Sequence, residues 1–279
     1  MDLHVEANLV QKGQEVVVII ERRSIELALG AVGLVLVYRF TGQHIFSWQV
    51  DRKRIRQLLG DSWPLALSGV AIIIYMKIDQ IMIGELLDST AVGVYSAAVR
   101  LSEVWYFIPA AIVASVSPAL FDARNTSQVV FDQRLEKLFR MVSMTALAIA
   151  IPMTFLSNFV TKALYGNAYA GAGQILAIHI WAALFVFMGL AQHPWTIIEG
   201  QTKFALVKTT IGAAANILLN LILIPRYAGI GAAIATTISY ALASFLLNAL
   251  NPKSRKLFYL QLSSILPVFP LRNRSKTEA

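Results

Sequence analysis

The sequence predicts an all-α, polytopic transmembrane helix bundle of about seven helices, and three observations carry that prediction. The first is composition. Of 279 residues, 57% are hydrophobic and 14% charged, with a mean hydropathy of +0.62, more apolar surface than a soluble core of this size could hide. The second is a recurrence of apolar runs close to the roughly 20 residues that a helix needs to cross about 30 Å of hydrocarbon. The third is where the charge sits. The net charge of +8 lies in short segments between the apolar runs, so it reads as topogenic charge and not as a nucleic-acid surface.

Residues 1–23 form an N-terminal segment whose apolar run, Val16 to Ile20, is too short for the core of a signal peptide. The first helix, 24–40, is the weakest, being short and containing Glu26, and a basic linker carries the chain to residue 62. Six helices follow within 63–250, near 63–84, 93–119, 140–160, 174–193, 204–224 and 229–250, before a basic tail over 251–279. Arg52, Lys53, Arg54 and Arg56 precede the second helix. Arg124, Arg134, Lys137 and Arg140 follow the third, Lys203 and Lys208 the fifth, and Lys253, Arg255 and Lys256 the seventh. The opposite loops hold Lys162 and Arg226 as their basic residues, so the positive-inside rule predicts a cytoplasmic C-terminal tail. Those opposite loops, around GELLDSTAVG, TKALYGNAYAGAG and PRYAGIG, are too short for a catalytic domain. Pro64, Pro109, Pro152 and Pro194 lie in or beside helices, where each removes a backbone hydrogen bond and can bend the element. The absence of cysteine excludes disulfides, thiolate metal sites and cysteine nucleophiles.

The hairpin from Ser62 to Pro118 places Lys77, Asp79, Arg100 and Glu103 at membrane depth. Each costs roughly 3 kcal/mol or more there unless paired or facing water, which predicts a polar cavity. Arg100 and Glu103, three apart, share a helix face and can pair; Lys77 and Asp79, two apart, point to nearly opposite sides. Counting from the turn near Asp88 predicts a contact between Asp79 and Arg100, with Glu103 as a second acceptor. Tyr75, Gln80 and the cluster Trp105, Tyr106, Phe107 could add hydrogen-bonding and stacking surfaces. Alternative readings stand beside these. The charged pair can be structural glue, and the aromatic rings can fill helix packing or interfacial belts. Lys77 lies too near the middle to snorkel easily. His179 and His193 have no second ligand at metal spacing, so no metal site is expected. Asn216 and Asn220, four apart with Gly212 and Ala213 a turn before, read as polar packing between helices. Gly229 and Gly231 read as a tight outer turn.

The segments DSWPLALSGVAIIIYMKIDQIMIG, VGVYSAAVRLSEVWYFIPAAIVASVSPAL, LYGNAYAGAGQILAIHIWAALFVFMGLA and NILLNLILIPRYAGIGAAIATTISYALA resemble the oligosaccharide flippase family. These are bacterial polysaccharide-biosynthesis membrane proteins of the superfamily that also contains the MATE drug exporters. The resemblance implies translocation of undecaprenyl-diphosphate-linked oligosaccharides across the bacterial inner membrane for O-antigen, capsule or exopolysaccharide assembly. It implies alternating access between two six-helix bundles and no cofactor. Residues 24–40 then look like the last helix of the first bundle and 63–250 like the whole second bundle, so the chain is expected to be partial. Its expected partners are the lipid-linked oligosaccharide, membrane lipids, a missing N-terminal half and polysaccharide polymerase machinery. On this reading Lys77 and Arg100, with Gln80 and Tyr75, bind the polyprenyl diphosphate. Asp79 and Glu103 hold the cations in place or take the coupling proton or sodium ion. An exporter of organic cations would prefer an acidic, aromatic cavity, and a membrane enzyme should show a large outer loop or a carboxylate-rich motif.

Overall fold

The structure, a computed structural model, describes residues 51–265 and, ahead of them, residues 25, 27–37, 39 and 40. The expectations for residues 1–23, Glu26 and the tail beyond residue 265 lie outside the described residues. The chain divides into two units, Met1–Leu58 and Leu59–Ala279. The first contains α1, the short apolar helix Leu27–Val37.

Every regular element among the described residues is helical. Helix α2 (Arg52–Leu86) carries Pro64 inside it, and α3 (Ser89–Glu103) is capped by Asp88, whose carboxylate accepts from the Ala91 amide at 2.7 Å. That cap satisfies one of the amides a helix start leaves unpaired. A 3-10 turn, Val104–Tyr106, then re-aims the chain into α4 (Phe107–Thr126), with Pro109 in its first turn. Helix α5 (Gln128–Tyr165) is followed by a run broken twice, α6 (Ala172–His179), α7 (Ala182–Ala191) and α8 (His193–Ile198). The last elements are α9 (Thr202–Ser244) and α10 (Arg255–Ile265).

Five of these runs are long and apolar enough to cross a bilayer: Arg52–Leu86, Ser89–Thr126, Gln128–Tyr165, Ala172–Ile198 and Thr202–Ala249. The sequence predicts separate helices at 204–224 and 229–250. The structure has these two helices as the two limbs of α9, which meet at Ala228, at φ 49° and ψ −133°. The turn there is tight enough to interrupt one residue only. Gly231 packs against the Leu223 carbonyl and Gly212 against Ala243, so the two limbs lie antiparallel. Ala228 adopts a left-handed conformation that suits glycine, at a cost of order 1–3 kcal/mol. Replacement by glycine relieves more than it loses in unfolded-chain entropy. Ala228→Gly is expected to stabilise the protein by about 1 kcal/mol, read as a rise of about 3 °C in the unfolding temperature of the detergent-solubilised protein.

Two apolar clusters hold the bundle. One joins Leu120 of α4, Phe131, Leu135 and Phe139 of α5, and Phe187 of α7. The other joins Ile83 of α2, Tyr95 and Val99 of α3, Leu176 of α6 and Ile224 of α9. At close helix contacts small residues replace large ones: a Cβ on Gly173 of α6 would fall 2.8 Å from the Cα of Asn158 in α5. Outward faces stay apolar, with Phe155 and Phe159 of α5 exposed at 82% and 73%. Lipid tails are as apolar as these side chains, so such faces are at no disadvantage in a bilayer.

Candidate functional site

The most buried carboxylate among the described residues is that of Asp79 in α2, 2% exposed. Its carboxylate accepts from Tyr95 Oη of α3 at 2.9 Å, from Asn220 Nδ2 of α9 at 2.5 Å, and from Thr236 Oγ1 on the other limb of α9. Asn220 Nδ2 also reaches Asn216 Oδ1 at 3.2 Å. No Lys or Arg lies within ion-pair distance of Asp79 among the described residues. Three helical segments therefore meet at one carboxylate through neutral donors, each bond to such a group contributing about 1.5–3 kcal/mol.

The register explains the meeting. Asp79 and Tyr95 are each eight residues from Leu87, the centre of the α2–α3 turn (87 − 79 and 95 − 87). Asn220 and Thr236 are each eight residues from Ala228 (228 − 220 and 236 − 228), so each hairpin brings its two polar residues level.

This corrects the expected contact between Asp79 and Arg100. Arg100 lies five residues beyond Tyr95, about 7.5 Å further along α3, and is exposed. Its side chain makes no ion pair or hydrogen bond among the described residues. The expected pairing of Arg100 with Glu103 also gives way. Glu103 instead accepts from Lys77 Nζ through both oxygens, at 3.2 and 3.4 Å. Lys77 points away from Asp79, as residues two apart on a helix must, and its side chain is 51% exposed.

The remaining candidates divide. Tyr75 is buried edge-on against Tyr240, ring centroids 5.0 Å apart. Gln80 is half-buried and makes no hydrogen bond among the described residues. Trp105 and Tyr106 pack against the apolar clusters, Tyr106 edge-on to Phe187 at 6.4 Å, whereas Phe107 is exposed. Asn216 and Asn220 are fully buried, and Asn220 belongs to the Asp79 node. Asn216 Nδ2 and the side-chain carbonyl Oδ1 of Asn220 find no partner among the described residues.

Sequence reasoning missed Tyr95, Thr236 and Lys208. The first two were reachable by counting outward from each turn. Lys208, read as a loop cation, is 5% exposed inside α9, where Nζ donates to Gln192 Oε1 at 3.1 Å and Asn248 Oδ1 at 2.6 Å. Its place in a set of charges between apolar runs concealed it.

Several long apolar helices with lipid-compatible outer faces make this a multi-pass membrane protein. A family model described as "Polysaccharide biosynthesis protein" matches residues 24–174, more than half of the chain, and the chain belongs to that family. It is similar to "Probable flippase AglR" of Haloferax volcanii, 30% identical over 188 residues, covering 64% of this chain and 38% of the relative. It is also similar to "Probable low-salt glycan biosynthesis flippase Agl15" of the same organism, 24% identical over 202 residues, covering 70% and 41%. The chain thus spans about two fifths of the length of these curated relatives. Among solved structures, "Lipid II flippase MurJ, inward closed conformation" superposes with a TM-score of 0.53 at 16% identity, covering 81% of this chain and 51% of that one. That likeness extends to the fold.

Proposed function

We propose that this chain supplies the second six-helix bundle, residues 63–250, of a flippase. Its cargo would be polyprenyl-diphosphate-linked oligosaccharide units, moved by alternating access across the bacterial inner membrane. The polysaccharide made from them would be O-antigen, capsule or exopolysaccharide. The C-terminal tail is cytoplasmic on this reading, and the protein is a carrier and not an enzyme. Both curated relatives are named flippases, which supports the transport class, and the words glycan biosynthesis in one of the names support a glycan cargo.

The observation that carries the reading is Arg100. It stands eleven residues into α3 (100 − 89), about 16 Å along the axis and so near the middle of about 30 Å of hydrocarbon. Exposed cation at that depth, without an acidic partner among the described residues, calls for an anionic ligand or water. A guanidinium can hold phosphate through two parallel hydrogen bonds, and Lys77 would add a second cation once Glu103 releases it. Gln80 and Tyr75 complete the proposed substrate set, with Tyr75 acting by packing.

Asp79 is the proposed coupling site, with Glu103 as the acid whose partner changes. Thr236 Oγ1 has one proton and two acceptors, Asp79 and the Ala232 carbonyl at 3.0 Å. A proton on Asp79 would satisfy both. A small cation would instead draw on Asp79 and the unpartnered Asn220 Oδ1.

The test is equilibrium binding in nanodiscs of a fluorescent polyprenyl-diphosphate oligosaccharide. Arg100→Ala removes charge-assisted hydrogen bonds worth about 1.5–3 kcal/mol, so Kd is expected to rise about 10- to 150-fold. An unchanged Kd, or displacement of the ligand by a lipophilic organic cation, contradicts the reading and favours a drug exporter.

A further inference from the structure

Lys208 is a buried cation that the proposed flippase site does not use. Its Nζ is held by the neutral amide oxygens of Gln192 and Asn248 and lies 5.4 Å from the Phe204 ring centroid. No carboxylate reaches it within ion-pair distance among the described residues. Asn248 is in turn tied to Gln192 and Gln261, so the amides form a built cradle around the ammonium. Neutral oxygens solvate a cation without neutralising it, and an uncompensated charge away from water is costly. An ammonium has three N–H donors, and two are spent on the cradle.

Lys208 and Gln192 also line a cavity of about 310 Å³, a size suited to small ligands. The other walls are largely apolar, from Leu65, Ile72 and Met76 of α2 and Leu190 of α7. Leu65 to Met76 is eleven residues (76 − 65), so the cavity follows α2 for about 16 Å. Ile72 is 36% exposed, which opens the cavity beside α2. Lys208 lies six residues into α9 (208 − 202), about 9 Å from the helix start, close to the level of a lipid headgroup.

We propose that this cavity binds a monoanionic phospholipid of the surrounding bilayer, with one acyl chain lying along α2 and the phosphodiester on Lys208. The charge selects the occupant. One ammonium balances one phosphodiester, whereas a diphosphate would bring surplus negative charge into an apolar site, and a zwitterionic lipid would bring a second cation beside Lys208.

Native mass spectrometry of the full chain, with phosphatidylglycerol or phosphatidylcholine added at equal concentration, tests this. Phosphatidylglycerol adducts are expected to survive delipidation and to exceed phosphatidylcholine adducts about tenfold, a difference of about 1.4 kcal/mol. Lys208→Met keeps the side chain's length and removes its charge, and it should abolish that preference. Leu190→Trp fills the cavity without touching the amide cradle, and should lower phosphatidylglycerol binding even if Lys208→Met fails to fold. Equal retention of the two lipids, or undiminished phosphatidylglycerol binding in Leu190→Trp, overturns the proposal. So does displacement of phosphatidylglycerol by an equal concentration of a polyprenyl diphosphate, which would assign the cavity to the transported lipid instead.

Discussion

Replacing Gly231 with alanine is expected to destabilise the bundle by about 3 kcal/mol, the upper end of what an added methyl costs in a packed interior. The new Cβ would lie 2.5 Å from the Leu223 carbonyl carbon and closer still to its oxygen. The obstruction is backbone on the facing limb of α9, so no rotamer change relieves it, and the limbs must part. Parting them moves Thr236 from Asn220, and with them the donors to Asp79. The apparent unfolding temperature of the solubilised protein should fall by about 10 °C. Gly93→Ala serves as the control, because a Cβ there meets nothing within 4 Å. A Gly231→Ala protein as stable as the Gly93→Ala protein would mean that the α9 limbs do not pack as described.

Neutralising Asp79 should have the largest effect on transport. Asparagine keeps the shape of the side chain and can still accept from Tyr95 and Thr236, so Asp79→Asn should fold. It removes the charge that a proton or sodium ion would balance. If occupancy of the node shifts the transporter between its two states, the coupling is of order 1–3 kcal/mol, about 5- to 150-fold in affinity. The wild-type protein should therefore show cation-dependent stability, read by titrating sodium against choline at constant ionic strength and again at lower pH. Asp79→Asn should show no response to either. Asp79→Ala, which leaves the Tyr95 hydroxyl without an acceptor and takes one acceptor from each of Asn220 and Thr236, should lose stability as well. A wild-type protein indifferent to both ions, or an Asp79→Asn protein that keeps its response, removes the coupling role.

The helical class was legible because the bilayer demands it: the apolar runs around Ile72, Ile112, Ala148 and Leu221 are of spanning length and admit no other regular structure. That Asp79 would have polar partners was legible too, since a carboxylate at that depth is costly alone. Which partners it has was not. Long side chains blur the depth estimate, and placing the hairpin centre at Asp88 without pairing residues symmetrically about the turn selected Arg100 over Tyr95. Thr236 was hidden for a different reason. Its contact with Asp79 spans 157 residues of chain, and nothing local in TTISY distinguishes a hydroxyl bonded to its own helix from one that also reaches a neighbour. Lys208 shows the limit of reading charge by segment: the same residue type at a helix start serves topology when it faces water and chemistry when it faces a cavity.

The most direct measurement is translocation itself. The second bundle of this chain, joined to the first bundle of a full-length family member, would be reconstituted in proteoliposomes carrying a short-chain polyprenyl-diphosphate oligosaccharide with a fluorescent sugar. A membrane-impermeant quencher reads the leaflet in which the sugar resides. The account predicts protein-dependent movement between leaflets, accelerated by a sodium or proton gradient and lost in both Asp79→Asn and Arg100→Ala. Movement that persists unchanged in both variants, or a vesicle that moves organic cations and leaves the lipid-linked sugar in place, would contradict it.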